Sequence, residues 1–234
     1  MDISGLKKAL SNVSLNGTIK DCVVHIKKGT VRIQAVDLSS SVLAETSAEC
    51  GIDDCTIGIG NIDLLLKYLR TVTDDVKVQL KDNVLVFTSE HGSKVHYLLD
   101  ECDLITSYDD EWPQDIISTL VKEYKYKIQL KEAPVSEFLS MLKLFGSNTA
   151  VVSVSDKKCF LHGGTEIEHQ FDVLLGKVKG IKELNNKMYS EYLFAVLSNI
   201  DFSEKAYMYL KENDDIIIVN GTSMWSIKLL PLDD

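Results

Sequence analysis

The stretch VKVQLKDNVLVF at residues 76–87 alternates apolar and polar residues, breaks at Lys81-Asp82-Asn83, and resumes as a second apolar run. Alternation predicts a strand with one buried face, and the break predicts the turn of a hairpin. Nearly the same arrangement returns about 130 residues later as KAYMYLKENDDIIIVNG at residues 205–221. The recurrence indicates that the chain contains two copies of one structural unit.

The flanks of the two hairpins agree as well. NIDLLLKYLRTV precedes the first and SEYLFAVLSNI the second, and both place apolar residues at helical spacing, with Ser190 positioned to cap the second helix. A glycine turn and another predicted strand follow each hairpin, HGSKVHYLL at residues 91–99 and NGTSMWSIKLL at residues 220–230. The order helix, strand, turn, strand, turn, strand is therefore shared.

The beginnings of the halves also match. ISGLKKALSNV and VSEFLSMLKLFG predict a helix at the start of each half, and a hairpin follows, turning at Lys28-Gly29 in the first half and near Asp156-Lys157 in the second. A lag of about 130 residues is too long for a solenoid repeat and is typical of a duplicated domain. We predict six to eight strands in each half and four helices, over residues 3–13, 61–72, 135–145 and 190–200.

An acidic stretch separates the halves. We predict a first domain over residues 1–100, a connector over 101–124 and a second domain over 125–234. The connector holds three consecutive acids, Asp109 to Glu111, followed by Trp112. Three acids in a row on a linker indicate a solvated segment rather than a metal or catalytic site. Trp112 fits an anchor for the connector, part of a partner pocket or part of a subunit interface.

Composition limits the class of protein. Hydrophobic residues make up 45% of the 234 residues, enough for buried cores, and no long apolar run predicts a membrane helix or a signal peptide. Five scattered cysteines without paired spacing indicate reduced, mostly buried thiols in a cytosol-like compartment. The net charge of −10 argues against a protein that coats nucleic acid with a broadly basic surface, and it leaves room for one segregated basic face.

Motifs for enzymatic chemistry are weak. The glycines of GIG at residues 58–60 and of HGG at 162–164 lack a phosphate-binding strand-to-helix loop and are interpreted as turn glycines. His25, His96 and His169 fall in predicted strands, far apart and without metal-ligand spacing. A serine, cysteine or histidine nucleophile would need partners that only folding could bring together. We therefore predict no enzymatic activity, no cofactor and no metal.

The ordered pattern over the whole chain resembles the DNA sliding clamps, meaning the phage clamps and the proliferating cell nuclear antigen of eukaryotes and archaea. VRIQAVDLSSSVLAE resembles the clamp segment in which a strand ends in a D-S-S-type turn. GIGNIDLLLKYL resembles the second clamp helix with its entry, and WSIKLLPLDD resembles the last strand with a short proline-containing tail. No one motif is specific, but their order and spacing agree.

The resemblance implies an α+β clamp fold, two similar domains of two helices packed on antiparallel sheets, with three subunits forming a ring of six domains around duplex DNA. The implied partners are double-stranded DNA without sequence preference, a DNA polymerase, an ATP-driven clamp loader and the chain itself as a homotrimer. The implied function is to tether the polymerase and raise its processivity. The short chain favours a phage source, hence the host cytoplasm, whereas a eukaryotic clamp would be nuclear.

A clamp should carry positive charge on the helices that line its hole. Over the four predicted helices, five basic residues outnumber three acids, giving +2 in a chain of −10. The predicted DNA-facing residues are Lys7, Lys8, Lys67, Arg70 and Lys143. The excess is small, and any amphipathic helix has a charged outer face. A closed ring is held on DNA by its topology, so that phosphate contacts need only guide it.

Clamp partners insert a short hydrophobic peptide into a pocket beside the connector, and the resemblance carries this pocket over by position. The corresponding residues are Val36, Leu38, Leu104, Ile105, Ile216, Leu230, Pro231 and Leu232. Ordinary core packing is the competing interpretation, more so for Val36 and Ile216 than for the tail. A Leu-Pro-Leu segment after the last strand is a candidate exposed apolar anchor.

Two alternatives keep the fold. One is a monomeric clamp-like viral processivity factor that grips DNA by a basic face, for which +2 helices in a −10 chain are a poor basis. The other is a subunit of a mixed, checkpoint-type clamp ring. For assembly, the resemblance implies that a sheet edge of the first domain pairs with the second domain of the next subunit. The candidate edges are the segment from CFLHG to EIEHQFDVLL and the strand CTIGI or its neighbour.

Overall fold

A computed structural model of the chain describes residues 3–72, 76–106, 116–164, 169–181 and 183–231. The chain divides into two compact units, one of residues 1–39 and 43–114, the other of residues 40–42 and 115–234. The change from the first unit to the second at residues 114 and 115 falls inside the stretch predicted as connector. The three connector acids, Trp112 and Leu232 lie outside the described residues.

The first unit contains two helices and seven strands in its described part. They are α1 (Ser4–Ser14), β1 (Cys22–Lys27), β2 (Thr30–Val36), β3 (Val42–Glu49), β4 (Cys55–Ile59), α2 (Ile62–Leu69), β5 (Lys77–Lys81), β6 (Val84–Thr88) and β7 (Lys94–Leu98). All pairings are antiparallel. β1 lies between β4 and β2, β3 pairs with β2, and β6 lies between β5 and β7.

The second unit repeats the pattern with one more helix. Its described elements are α3 (Ile116–Val121), β8 (Tyr126–Leu130), α4 (Glu132–Phe145), β9 (Thr149–Ser155), β10 (Lys158–Gly164), β11 (Gln170–Lys177), β12 (Leu184–Tyr189), α5 (Ser190–Ser198), β13 (Ala206–Leu210), β14 (Ile216–Asn220) and β15 (Ser223–Ile227). One antiparallel sheet has the order β11-β10-β9-β12, and a second group pairs in the order β8-β13-β14-β15.

The two predicted hairpin turns are confirmed, and their backbone explains them. Lys28 and Gly29 both have positive φ, 51° and 74°, and Asp156 and Lys157 have φ of 49° and 64°. Two consecutive residues with positive φ form the type I′ turn, whose twist matches that of a two-residue hairpin. Each turn therefore fixes the register of the strands that it joins.

Helix α1 forms because its apolar residues recur on one face. Leu6, Leu10 and Val13 are fully buried, as predicted, and the helix packs against β2 and α2. In the second unit α4 packs in the same way against β11, β10 and α5. Each unit thus places a pair of adjacent helices on one side of its sheets.

The predicted start of α4 was wrong by three residues. The helix begins at Glu132 and includes Pro134 in its first turn. Proline is tolerated there because the first N–H groups of a helix have no intrahelical partner. The capping role of Ser190 was also wrong. Ser190 is the first residue of α5, and its hydroxyl donates to the carbonyl of Ser147.

The connector prediction missed helix α3. Its sequence IISTLV is too short to show helical periodicity, and Ile117 is its one buried residue. Among the described residues the second unit therefore has three helices rather than two. No helix of the described chain is long and apolar enough to span a lipid bilayer.

Candidate functional site

The helix pair of the first unit presents a basic outer surface. Lys8, Lys67 and Arg70 are exposed, Lys7 is half-buried, and the carboxylate on this surface is Asp63. The Ser14 hydroxyl donates a hydrogen bond of 3.1 Å to Asp63 Oδ1. Four cations against one carboxylate leave this helix pair, which includes the C-cap residue Arg70, at +3.

Two adjoining depressions open on the same surface. One of about 230 Å³ is lined by Ser11, Ser14, Asn16, Asp63, Leu66, Lys67 and Arg70. The other, of about 370 Å³, is lined by Gly17, Lys20, Gly60, Asn61, Asp63, Leu64 and Lys67. Hydroxyl, amide and cationic side chains such as these donate hydrogen bonds to phosphate oxygens. The surface can therefore hold the backbone of a nucleic acid.

Lys20 is a cation that the sequence analysis missed. Its backbone carbonyl accepts a hydrogen bond of 2.9 Å from the N–H of Ile62, which places Lys20 at the start of α2. Its side chain is exposed and lines the second depression together with Lys67. Lys20 lies in a loop before β1, so helical periodicity could not identify it.

The helix pair of the second unit is acidic. Because α4 begins at Glu132, three carboxylates (Glu132, Glu137 and Glu191) stand against Lys143 and the N-cap residue Lys131, a net −1 when caps are counted as in the first pair. The sum over all helices remains +2, and the positive charge is concentrated in the first unit. Lys143 lies with Nζ 5.3 Å from the centre of the Phe194 ring on α5, a cation–π contact.

The predicted pocket residues of the first unit fall into two classes. Leu38 and Leu104 are exposed, 79% and 78% respectively, whereas Val36 and Ile105 are 7% exposed. Exposed leucines of this size are candidates for contact with a partner, whereas buried ones contribute to the core. Leu38 and Leu104 are therefore the candidate anchors of this unit.

The predicted pocket residues of the second unit differ in the same way. Ile216 is fully buried in β14, Leu230 is half-buried and Pro231 is exposed. The N–H of Leu230 donates to the carbonyl of Lys187 over 2.8 Å, which attaches the beginning of the tail to β12. Leu232 lies outside the described residues. Ile216 therefore belongs to the core, which is the alternative that the sequence analysis gave for this residue.

A polar cluster surrounds the turn before Ile216. The Tyr124 hydroxyl donates to Asp214 Oδ1 (3.1 Å) and to the carbonyl of Asp215 (2.9 Å), and Lys211 Nζ lies 2.6 Å from Asp214 Oδ2. Burial raises the pKa of Asp215. Burial alone would raise the pKa of Asp214 too, but hydrogen bonds from Lys211, the Asp215 N–H and Tyr124 lower it below its usual value. These contacts fix the turn.

Folding brings together a serine, a histidine and an aspartate that the sequence analysis did not connect. His162 Nδ1 lies 2.5 Å from Asp172 Oδ1, and its Nε2 is hydrogen-bonded to Ser153. This is the hydrogen-bonding order of a nucleophile, a base and an acid. Ser153, however, lies on β9, between β10 and β12, where the ladder occupies the backbone N–H groups that would otherwise stabilise an oxyanion. The cluster is better explained as a link across three strands.

The other candidate chemical groups are separated. His25 lies in β1, His96 in β7 and His169 immediately before β11. Within the described ranges, no group of three or more His, Cys, Asp or Glu side chains is placed to hold a metal ion. Gly58 is not a turn glycine as predicted. It lies inside β4, where a Cβ would come within 2.4 Å of the carbonyl oxygen of Asp100.

All five cysteines are free. Cys22 and Cys159 are buried, while Cys50, Cys55 and Cys102 are partly exposed, so "mostly buried" was wrong for three of the five. Burial raises the pKa of every one of these thiols, that of Cys159 to about 12. Raised thiol pKa values disfavour the thiolate, which is the reactive form.

The fold is that of known sliding clamps. The proliferating cellular nuclear antigen of Entamoeba histolytica superimposes with a TM-score of 0.72 at 13% identity, over 99% of this chain and 97% of the other. PCNA of Thermococcus kodakaraensis gives 0.70 at 10% identity, over 96% of both chains. A chain of the PCNA2–PCNA3 complex of Sulfolobus tokodaii gives 0.68 at 10%, over 95% of this chain and 96% of that chain. No family model and no curated protein matches the sequence.

Proposed function

We propose that this protein, whose chain has the α+β clamp fold predicted from the sequence, is a sliding clamp that encircles duplex DNA and tethers a DNA polymerase. The observation that carries the proposal is the agreement of fold with PCNA chains over 95–99% of the length. Such a protein acts by topology and contact rather than by chemistry, and we propose no catalytic role for any residue. Its proposed partners are DNA, a polymerase, a clamp loader and further copies of itself.

The charge distribution supports this proposal. In a chain of −10 the helix pair of the first unit, with its cap residues, carries +3, whereas that of the second unit carries −1. A surface that attracts phosphates and makes no base-specific contacts allows a protein to slide along DNA. We propose that Lys7, Lys8, Lys67, Arg70 and the newly identified Lys20 guide the DNA. Lys143, engaged with Phe194, contributes less.

Partner binding is proposed to depend on exposed apolar anchors. Leu38 and Leu104 satisfy this condition in the first unit, and the tail from Leu230 onward is the corresponding candidate in the second. Val36, Ile105 and Ile216 support the fold beneath them. Apolar anchors of this kind supply most of the affinity at protein interfaces.

Ring assembly is proposed to use β7 of one subunit and β11 of the next. Both are edge strands of their sheets, so that their outer backbone groups can pair with another strand, and Leu174 on β11 is 49% exposed. β4, the other candidate edge, is less suitable because Gly58 already accepts a hydrogen bond from the N–H of Asp100.

Proline substitution tests this assembly. Proline removes a ladder hydrogen bond, so Leu174→Pro in β11, outside the link of Ser153, His162 and Asp172, should convert a particle of about three times 26.2 kDa into a folded monomer. Light scattering measures the mass and circular dichroism the fold. Asn185→Pro in β12, the opposite edge of the same sheet, is the matched control and should leave the trimer intact. A trimer that persists after proline scans of both β7 and β11 would contradict the proposed edges.

A mixed ring is a second candidate. The Sulfolobus tokodaii neighbour is described as a complex of two different clamp chains, PCNA2 and PCNA3. By analogy this chain could require a second, different clamp subunit. In that case the wild-type chain alone would not reach the trimer mass in the light-scattering experiment.

A further inference from the structure

The three-stranded sheet of the first unit has a basic outward face. We call it the basic sheet face. It consists of Lys77, Gln79 and Lys81 on β5, Val84, Val86 and Thr88 on β6, and Lys94, His96 and Leu98 on β7.

The opposite face of this sheet packs against helix α2. Phe87 is fully buried, and its ring contacts that of Tyr68 edge-on, with the centroids 5.2 Å apart. Because successive side chains of a strand point to opposite sides, the residues that alternate with Phe87 point away from the helix. The basic sheet face is therefore separate from the helix surface proposed to face DNA.

The charge of this face is opposite to that of the chain. Strands β5, β6 and β7 contain three lysines and no aspartate or glutamate, in a chain of net charge −10. All three lysines are exposed, and none of them forms an ion pair with another residue of the described chain. Of the carboxylates within two residues of the strand ends, Asp82 and Glu90 lie in the two turns, Asp100 follows β7, and Asp75 lies outside the described residues. The positive charge of the face is thus available to a partner.

The basic sheet face is concave. The short side chains of the middle strand form a floor between the longer side chains of its two neighbours. Val86 points outward yet is only 4% exposed, because it lies between Gln79 and His96, its directly paired neighbours. Leu98 at one corner is 72% exposed. The result is a shallow trough with an apolar floor and cationic rims.

We propose that the basic sheet face binds an acidic segment of a partner protein, in which an apolar residue is flanked by carboxylates. Lysines on both rims complement the carboxylates, and Leu98 and the floor accept the apolar side chain. Single-stranded nucleic acid fits less well, because the face contains no Phe, Tyr or Trp on which bases could stack. An acidic partner is repelled by most of the surface of a −10 chain and attracted to its basic surfaces, of which this one is separate from the helix surface proposed to face DNA.

The proposal does not depend on the sliding-clamp function. Pairing at the β7 edge would extend the sheet and leave side chains that stand perpendicular to it exposed. The binding test below uses the whole chain in either oligomeric state.

The test measures binding of a fluorescein-labelled peptide with one leucine among aspartates and glutamates, by anisotropy at about 0.15 M salt. K77E/K81E/K94E should weaken binding by about tenfold or more, because attraction becomes repulsion at three positions. Leu98→Ser should weaken it severalfold. The matched control K122E/K125E/K205E, which alters the net charge equally at exposed lysines elsewhere, should leave most of the affinity.

The contrary outcomes are distinct. Equal loss of affinity in the control and test variants would show that only net charge matters and would overturn the proposal. So would absence of peptide binding by the folded wild-type chain. Binding of a labelled oligothymidylate that is lost in K77E/K81E/K94E, without peptide binding, would assign the face to nucleic acid instead. Circular dichroism confirms that each variant is folded.

Discussion

Reversing the charge of the first helix pair, in the variant K7E/K8E/K67E/R70E, is expected to reduce capture of duplex DNA by a factor on the order of a hundred or more. Each chain loses four cations and gains four carboxylates on a surface whose existing carboxylate is Asp63. In a ring the change is repeated in every subunit. Anisotropy of a labelled duplex at low salt measures the effect, and thermal unfolding should change little because three of the four cations are exposed and exposed charges stabilise a fold only weakly.

Two controls make this expectation specific. Lys143→Glu on the helix pair of the second unit should weaken capture much less than Lys67→Glu, since Lys143 is engaged with Phe194 and its helix pair has a net negative charge. Lys20→Glu should weaken capture about as much as Lys67→Glu, because both line the same depression. Equal effects of Lys67→Glu and Lys143→Glu would contradict the assignment of DNA guidance to the first unit.

The second large effect is expected at the partner surface. L38D/L104D should abolish stimulation of primer extension by the replicative polymerase of the same source, with a loss of about 2 kcal/mol or more per anchor. The fold should survive, because both leucines are more than three-quarters exposed. Native mass and thermal unfolding measured on the same preparation separate lost binding from lost structure.

Comparison with buried and exposed neighbours sharpens this test. Ile105→Asp, one residue from Leu104, should instead destabilise the protein, since it places a charge in the core next to β4. Leu144→Asp is the control for loss of an exposed apolar side chain, because Leu144 on α4 is 73% exposed and is not a proposed anchor. Polymerase stimulation that survives L38D/L104D would show that these leucines are not the anchors, and the tail from Leu230 would then be tested by truncation.

Periodicity predicted most helices and strands because each unit buries one face of every element. Leu6, Leu10 and Val13 on α1 show the helical period, and the hairpin turn at Lys28-Gly29 shows the turn residues that positive φ requires. Helix ends were predicted less well. The start of α4 at Glu132 depended on the position of Pro134 within the first turn, which hydropathy does not report.

The candidate surfaces were only partly predictable, because exposure and tertiary proximity are not local properties. The same apolar pattern covers Leu38, which is exposed, and Val36, which is buried. Lys20 joins Lys67 only through the contact of its loop with the start of α2. The link between His162 and Asp172 could have been predicted by extending the strand register on both sides of β10, since these residues are directly paired.

Retention on linear duplex with blocked ends tests the clamp proposal most directly. The protein is allowed to thread onto DNA that carries biotin at both ends, the ends are capped with streptavidin, and the salt is raised to about 1 M, where phosphate contacts are screened. A ring stays on the capped DNA and is released when a restriction enzyme cuts the duplex internally. Loss of the protein at high salt while the ends are capped, or its retention after the cut, would contradict encirclement.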